Sequence, residues 1–274
     1  MLNMDRVQLA TFQAVVEQGS FEAAARALHI TPSAVSQRIK ALEQTVGQVL
    51  VRRGRPCAAT NAGQALVRFA GQVALLEQEA LGQARDGARL SVVVNADSLN
   101  TWFLPVLTAV PDVRFELHVD DQDHSAELLR TGQAMAAVTA DHVAVQGCRV
   151  EKLGVMRYLA VSAAPIADLG TAPVVVYNRK DELQQRFFGD RPLPPAHYVP
   201  AAASFEEAIR QGLGWGMMPE QHARPDLEAG RLVEVVPGRF LDVPLHWQRW
   251  KIESAILETL TAAVRTAAVR LLRP

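Results

Sequence analysis

Residues 20–43 constrain the fold more than any other stretch of the chain. Ser20 is suited to cap a short helix over residues 21–28, because a serine hydroxyl accepts hydrogen bonds from the free N–H groups at a helix start. Thr31 can cap a second helix, whose first position holds Pro32, where a missing N–H is harmless. The second helix repeats apolar residues on one face: Val35, Ile39, Leu42 and Val46. Two short helices separated by a tight turn predict a helix-turn-helix.

The other face of the second helix carries hydroxyl, amide and basic side chains. Hydroxyl and amide groups can read base edges in DNA, whereas Arg and Lys suit phosphates. A solvated helical hairpin is the alternative interpretation, but its polar face would be expected to carry more glutamate. The sequence therefore predicts DNA contacts at Thr31, Pro32, Ser33, Ser36, Gln37, Arg38 and Lys40.

Residues 47–59 form a short extended segment that concentrates Arg52, Arg53 and Arg55 around a glycine. Arginines on a hairpin can enter a DNA minor groove or meet phosphates, so this segment is predicted to be a wing; a solvated basic loop is the alternative. Residues 1–64 carry seven basic and four acidic side chains, a net +3, against −1 for the whole chain. A basic head on an acidic body indicates nucleic-acid contact confined to one end.

A long helix follows, capped by Thr60 and predicted to run to about Ala84. Its apolar residues fall at alternate first and fourth positions of a heptad: Leu66, Phe69, Val73, Leu76 and Ala80. A heptad seam predicts pairing with a partner helix. Packing of the same face against its own domain is the alternative. Residues 85–89 are predicted to be a short hinge.

Beyond residue 90 the pattern changes to alternating strands and helices. Strands are predicted at residues 90–94, 113–119, 135–139, 148–153, 158–162, 174–177, 216–218 and 243–250, and helices at about 98–109, 124–131, 180–188, 204–212 and 254–272. This alternation predicts open α/β sheets. The length of 274 residues suggests about two domains.

Several function classes lack their signatures. The chain has no GxSxG, P-loop or HExxH sequence, so no enzyme is predicted. Cys57 and Cys148 stand alone without a CxxC pair, so neither a disulfide framework nor a zinc site is expected. The sequence has no run of 18 apolar residues and no signal-peptide start. We therefore expect a cytoplasmic protein with no cofactor and no resident metal.

Residues 4–65 resemble the winged helix-turn-helix of LysR-type transcriptional regulators. The matching positions are Phe12, Val15, residues 19–21, Ala23, Ala24, Leu28, residues 31–39, Leu42, Glu43, Gly47, Leu50, Arg53, Thr60 and Gly63. Two positions depart from the family pattern. Val51 stands where the family usually has Phe, and Pro32 stands where it often has Gln, at the DNA surface.

The resemblance implies a domain order and a set of partners. The implied domains are a DNA-binding domain at 1–60, a dimerising linker helix and hinge at 61–89, and an effector-binding domain at 90–274. That last domain would be a two-lobed α/β module similar to a periplasmic binding protein, with lobe I at 90–160 plus 245–274 and lobe II at 161–244. The implied partners are double-stranded DNA, a small-molecule effector, a second copy in a homodimer or a dimer of dimers, and RNA polymerase as a further candidate.

Two predicted strand ends point to a ligand site. In open α/β folds, ligands bind beyond the carboxyl ends of strands. Ser98 and Thr101 stand where a helix begins, so their hydroxyls and the free N–H groups could hold a carboxylate. Asp97 beside them, and Asp121 after the second strand, would repel an anion unless the ligand is a zwitterion with extra positive charge. The alternatives are helix capping by Asp97 or Ser98, a solvated turn at residues 120–124, or a metal bound by Asp120, Asp123 and His124.

Further segments are similar to the LysR-type subgroup that senses lysine and arginine and controls export of basic amino acids. These segments are residues 95–102, 121–125, 137–139, 212–217 and 245–247. The resemblance adds Trp102, Thr139, Trp215 and a residue of the 203–205 turn to the candidate ligand contacts. It implies L-lysine or L-arginine as the effector and an amino acid exporter gene as the target. A LysR-type regulator of a different cytoplasmic metabolite is the alternative.

Overall fold

A computed structural model describes residues 4–81, 88–119 and 125–274, without the side chain of Ser125. The N-terminal domain contains α1 (Arg6–Gln18), α2 (Phe21–Ala27), α3 (Pro32–Val46) and a wing of two antiparallel strands, β1 (Val51–Arg52) and β2 (Ala58–Ala59). The predicted caps are present. Ser20 accepts a hydrogen bond from the Ala23 N–H at 3.0 Å, and Thr31 accepts one from the Ala34 N–H at 3.2 Å.

One apolar core holds these three helices and the wing together. Its largest contributors are buried: Phe12, Val15, Val35, Ile39, Leu42 and Leu50. A carboxylate fastens the wing to α3, because Glu43 Oε1 accepts hydrogen bonds from the N–H groups of Leu50 at 2.8 Å and Val51 at 3.3 Å. The wing therefore has a fixed position beside the outer face of α3.

The linker helix α4 spans Asn61–Ala80, which is shorter than predicted, and residues 82–84 of the prediction lie outside the described residues. Its buried face consists of Gly63, Leu66, Val67, Ala70, Gly71 and Leu75. Leu66, predicted to lie on the partner seam, is instead buried in its own domain. Phe69 and Leu76 remain 41% and 40% exposed, and Val73 is half-buried. The α4 helix thus packs on its own chain along one face and leaves an apolar strip open along another.

The inner face of α4 docks on the C-terminal domain. A Cβ on Gly71 would lie 2.7 Å from the Trp250 ring, so only glycine allows this approach. The guanidinium of Arg68 donates to the Arg130 carbonyl. Near the end of α4, Glu79 accepts a hydrogen bond from the Ile256 N–H at 3.0 Å. These contacts join the linker helix to the helix that contains Arg130, to the end of the last strand and to the start of the last helix.

The C-terminal domain is built on one mixed sheet of seven strands. They are β3 (Ala88–Val94), β4 (Val113–Val119), β5 (Ala136–Thr139), β6 (Cys148–Ser162), β9 (Gly216–Pro219), β10 (Val233–Glu234) and β11 (Phe240–Trp250). The order is β10-β6-β11-β5-β3-β4, and β9 also pairs with β6. Strand β3 is parallel to β4 and β5, whereas β11 is antiparallel to β5 and β6.

Helices cover the sheet, and two short parallel strands, β7 (Val174–Val176) and β8 (Ala196–Tyr198), form a separate pair. The first helical stretch passes from α5 (Ala96–Ser98) through a π-helical segment (Leu99–Phe103) into α6 (Leu104–Thr108). The others are α7 (Ser125–Thr131), α8 (Leu183–Phe188), α9 (Ala202–Arg210), α10 (Glu220–Glu228) and α11 (Ala255–Leu271). No helix among the described residues is long and apolar enough to cross a membrane.

The α/β prediction is confirmed, but several details differ. The two strands predicted at 148–153 and 158–162 are one strand, β6. Of the predicted hinge, Ala88 and Arg89 belong to β3, and residues 85–87 lie outside the described part. The helix predicted from residue 180 begins at Leu183, and α10 and β10 were not predicted.

Strands β6 and β11 run through both lobes. Their pairing register shifts between Leu245 and His246, opposite Gly154 and Lys152. Residues 158–161 of β6 pair with β9, and β9 lies within residues 161–244, the segment predicted for the second lobe. The first lobe here means the β3–β5 part of the sheet with α5 to α7 and α11; the second lobe means the part with β7 to β10 and α8 to α10.

Candidate nucleic-acid interface and interlobe cavity

The outer face of α3 and the wing form one exposed polar surface. Exposed residues of this surface are Thr31, Pro32, Ser33, Ser36, Gln37, Lys40, Arg52, Arg53 and Arg55. A groove of about 410 Å³ lies between α2, α3 and the wing, and its walls include Pro32, Ser33, Ser36 and Arg53. The guanidinium of Arg53 lies 5.4 Å from the Phe21 ring centroid, so its position beside the groove is held by a cation–π contact.

Arg38 differs from the other predicted DNA contacts. It is half-buried, and its Nη1 donates to the Thr11 hydroxyl of α1 at 3.3 Å. In this arrangement Arg38 ties α3 to α1, a role that its exposed neighbours do not share.

A cavity of about 630 Å³ lies between the two lobes. The first lobe contributes Asn95, Ala96, Asp97, Val119 and Ala140. The second lobe contributes Tyr177, residues 178–183, Arg186, Pro200, Ala202, Phe205 and Met217. The lining contains both acidic and basic side chains. The acidic residues are Asp97, Asp181 and Glu182, and the basic residues are Arg179, Lys180 and Arg186.

Asp97 is a carboxyl group of the cavity whose pKa is raised. Asp97 is partly exposed, and protein surrounds the rest of its surface. The Tyr158 hydroxyl donates a hydrogen bond to Asp97 Oδ2 at 2.7 Å. The pKa of Asp97 is raised from 3.8 to about 6, chiefly by burial and further by the charges of Asp181 and Glu206, while the hydrogen bond from Tyr158 and the charge of His222 oppose the rise. At neutral pH the group is therefore ionised in a site that disfavours its charge.

A second carboxylate, Glu206 on α9, connects the lobes below the cavity. It is only 6% exposed and lies 2.5 Å from Nδ1 of His222 on α10, and it accepts from Arg210 at 3.2 Å. Asn100 of the first lobe donates to the same carboxylate at 3.5 Å. The hydrogen bond to Glu206 raises the pKa of His222. This pair anchors the helix that carries Phe205 and Ala202 into the cavity wall.

The predicted ligand residues occupy different positions. Asp97 lines the cavity, and Phe205, from the predicted 203–205 stretch, lines it too. Ser98 is fully buried, and its hydroxyl has no partner among the described residues. Thr101 donates to the Asp97 carbonyl at 2.6 Å, as helical threonines often do. Asp121 lies outside the described residues, as do Asp120, Asp123 and His124.

The remaining three predicted residues are buried behind the wall. Trp102 packs against Phe103 in the core, and Trp215 packs against Phe187 and Phe188. The Thr139 hydroxyl accepts from the Asp141 N–H at 3.1 Å. None of the three is part of the cavity lining. Trp102 lies in the π-helical segment and Trp215 directly precedes β9, and the size and hydrophobicity of both side chains place them in the core.

Sequence reasoning did not identify Asn95, Tyr158 or residues 178–182 as site residues. Residues 178–182 carry a detectable signal, since a polar cluster follows directly after the carboxyl end of β7. Tyr158 carries none, because it lies within an apolar strand and meets Asp97 only through the pairing of distant segments. Among the described residues no group of three His, Cys, Asp or Glu side chains could hold a metal ion.

Two family profiles match the chain. One is described as "Bacterial regulatory helix-turn-helix protein, lysR family" and covers residues 7–64. The other is described as "LysR substrate binding domain" and covers residues 83–268.

Curated relatives match over almost the whole length. The HTH-type transcriptional regulator LysG of Mycobacterium tuberculosis is 49% identical over 290 residues, which cover 98% of this chain and 95% of the relative. The lysine export transcriptional regulatory protein LysG of Corynebacterium glutamicum is 42% identical over 293 residues, covering 99% and 100%. The HTH-type transcriptional regulator ArgP of Escherichia coli (strain HS) is 38% identical over 295 residues, covering 100% and 99%.

Solved structures give the same picture. ArgP from Mycobacterium tuberculosis superposes with a TM-score of 0.86 at 49% identity, covering 97% of this chain and 98% of that one. Full-length LysG from Corynebacterium glutamicum with bound effector Arg superposes with a TM-score of 0.82 at 42% identity, covering 99% and 100%.

Proposed function

The chain belongs to the LysR family of DNA-binding transcriptional regulators, and from that premise we propose that it senses L-lysine or L-arginine and controls transcription of an amino acid exporter gene. The observation that carries the proposal is Asp97, an ionised carboxylate enclosed at the wall of the interlobe cavity. A buried charge is unfavourable unless an opposite charge meets it. A cationic ligand supplies that charge.

The charges of the lining support a zwitterionic ligand with an additional positive charge. Asp97, Asp181 and Glu182 suit the ammonium or guanidinium groups, whereas Arg179, Lys180 and Arg186 suit a carboxylate. The helical stretch from Ala96 begins at the same wall, and no side chain caps its first N–H groups. A cavity of about 630 Å³ has ample room for one amino acid. The name of the Corynebacterium glutamicum relative, which refers to lysine export, and the Arg bound to the LysG structure support the same ligand class.

We assign DNA contact to the exposed face of α3 and to the wing. Ser33, Ser36 and Gln37 present hydroxyl and amide groups suited to base edges, and Arg52, Arg53 and Arg55 suit phosphates. DNA as the target places the protein in the cytoplasm. By this assignment residues 1–60 bind DNA, 61–89 link and dimerise, and 90–274 bind the effector. Transcriptional regulation by this route requires no enzymatic step.

Dimerisation through α4 follows from its open apolar strip. Phe69 and Leu76 remain exposed and Val73 half-exposed, after the buried face of α4 has packed on its own chain. A partner helix would cover them. Pairing would place the two α3 helices of a dimer on successive turns of DNA. Further association of the dimer, with a second dimer or with RNA polymerase, would use other surfaces.

Isothermal titration of the purified protein with L-lysine, L-arginine and L-norleucine tests the effector. Norleucine matches lysine in length but lacks the terminal ammonium, so it leaves the carboxylates that would meet the side-chain end, such as Asp181 and Glu182, without their cation. It should therefore bind at least about tenfold more weakly. Equal binding of norleucine and lysine, or no binding of either basic amino acid, would instead favour a regulator of another metabolite.

A further inference from the structure

Asn95 is placed for helix capping but does not cap. It occupies the N-cap position of α5 with φ −66° and ψ 152°, and its carbonyl accepts the first helical hydrogen bond from the Leu99 N–H at 3.0 Å. An asparagine there normally turns its side-chain oxygen onto the N–H groups of the first turn. The Asn95 side chain makes no such bond.

The unused oxygen of Asn95 is buried, and Asn95 is one of the residues that line the cavity. Asn95 is 4% exposed, and Oδ1 has no hydrogen-bond partner within the described residues. A buried acceptor without a donor is unfavourable, and native proteins rarely retain one without a reason. Other unpartnered atoms, such as the indole nitrogens of Trp102 and Trp215, belong to residues outside the cavity lining. Asn95 lies in the lining itself, where a ligand can meet it.

Asp97 presents a second acceptor two residues away. Its Oδ2 accepts the Tyr158 hydroxyl at 2.7 Å, and no Lys or Arg of the described chain forms an ion pair with it. One carboxylate oxygen and one amide oxygen therefore remain for the same ligand. This pair suits an ammonium group, which donates in three directions, better than a guanidinium, whose planar fork prefers both oxygens of one carboxylate.

We propose that Asn95 and Asp97 form the subsite for the α-ammonium group of the effector, with Tyr158 as the residue that positions the Asp97 carboxylate. The proposal rests on the proposed function and deepens it. The α-ammonium and α-carboxylate share one carbon atom, so their subsites must be neighbours. Arg186 and Lys180 line the same cavity and supply cations for the carboxylate. The side-chain end of the effector then meets other carboxylates, such as Asp181 and Glu182.

This orientation predicts that Asn95 contributes equally to lysine and to arginine, because the two amino acids are identical at the α-carbon. A residue that met the side-chain end would affect an ammonium and a guanidinium unequally. It also predicts that blocking the α-amino group abolishes binding.

The experiment is calorimetric titration of three full-length proteins: the wild type, Asn95→Ala and Asn61→Ala. Asn61→Ala is the matched control, because it makes the same change at an exposed position in the N-terminal domain. The ligands are L-lysine, L-arginine and Nα-acetyl-L-lysine. Asn95→Ala should weaken lysine and arginine by the same factor, roughly ten- to a hundredfold, as expected for loss of a hydrogen bond to a charged group. The thermal midpoint of the ligand-free variant should not fall by more than a few degrees, because the lost oxygen had no partner. Asn61→Ala should match the wild type.

Each outcome decides the matter. Unchanged affinity in Asn95→Ala, unequal losses for lysine and arginine, or retained binding of Nα-acetyl-L-lysine would overturn the α-ammonium subsite while leaving the proposed function standing. Absence of lysine and arginine binding to the wild type would overturn the proposed function and the subsite with it. If Asn95→Ala unfolds, Tyr158→Phe provides the second test. It should weaken both amino acids equally, and more at pH 6 than at pH 8, because Asp97 then loses the donor that favours its ionised form.

Discussion

Replacing Asp97 with Asn should abolish effector binding and yet stabilise the ligand-free protein at neutral pH. The pKa of Asp97 is raised from 3.8 to about 6 in the folded state, chiefly by burial. A tenfold change in an ionisation constant between the unfolded and folded states corresponds to about 1.4 kcal/mol. The ionised carboxylate therefore lowers the free energy of unfolding by about 3 kcal/mol at pH 7.5, or about 2 if the open side of the cavity screens the charge. Asparagine keeps the size and can still accept from the Tyr158 hydroxyl.

The direction of this pKa change fixes the pH dependence of stability. A carboxyl group whose folded pKa is raised stabilises the protein most below its unfolded pKa, and this contribution is lost as the pH rises through about 6. The advantage of Asp97→Asn over the wild type should therefore be largest at pH 7.5. It should shrink to roughly half at pH 5 and nearly vanish at pH 4.

Thermal and urea unfolding at these pH values measure the effect, with exposed Asp190→Asn as the control for removing one negative charge. A gain of about 2–3 kcal/mol corresponds to a rise of roughly 5–10 °C in the melting temperature of a domain of this size. Lysine at a hundredfold excess over Kd should stabilise the wild type by about 2.7 kcal/mol and the variant not at all. A variant that is less stable than the wild type at pH 7.5 would show that Asp97 has a structural partner, and the reasoning from unpaired burial would fail.

Three further predictions concern the DNA surface and the linker helix. Gln37→Ala should cost about 1–3 kcal/mol of binding free energy on the operator and little on random DNA. Arg53→Ala should weaken binding to both DNAs and reduce the slope of log affinity against log salt concentration by about one. Equal losses for Gln37→Ala on both DNAs would contradict the base-reading assignment. Val73→Asp would place an unpaired carboxylate in the apolar strip of α4, so sedimentation should show monomers and operator binding should collapse; an unchanged oligomer would mean that another surface dimerises. Gly71→Ala would bring a methyl group 2.7 Å from the Trp250 ring. Overpacking should then lower the free energy of unfolding by about 1–3 kcal/mol. Urea denaturation measures this loss, with Ala65→Ser on the exposed side of α4 as the control.

The N-terminal domain was predictable because its signals are local. Ser20 and Thr31 lie within three residues of the N–H groups that they cap, and the apolar spacing of α3 reports its buried face directly. Arg38 shows the limit of such reasoning. Its place on the polar face predicts a phosphate contact, and nothing in the local sequence indicates that it also donates to Thr11, which lies 27 residues away on another helix.

The effector domain was predictable at the level of strands and helices but not at the level of its site. Gly154 and Arg157 interrupt the apolar pattern of β6, which imitates a loop, although β11 pairs along almost the full length of the strand. Tyr158 then reaches Asp97 across 61 residues of sequence. No local pattern reports such a contact, because it depends on which strands are neighbours in the finished sheet.

The contrast between engaged and unengaged polar groups separates binding residues from structural ones in this cavity. Asn178 lines the same cavity as Asn95 from the other lobe, but its side-chain oxygen accepts hydrogen bonds from the N–H groups of Lys180 at 2.7 Å and Asp181 at 3.1 Å and so shapes the loop. Asn95 has the same chemistry and greater burial, yet its oxygen meets no donor of the described chain. Folding alone gives no reason to keep a buried acceptor unsatisfied beside a carboxylate whose ionisation is disfavoured. A single ammonium group would donate to the Asn95 oxygen and neutralise the Asp97 carboxylate at the same time. This is the strongest physical reason to place the effector against the first lobe at Asn95 and Asp97.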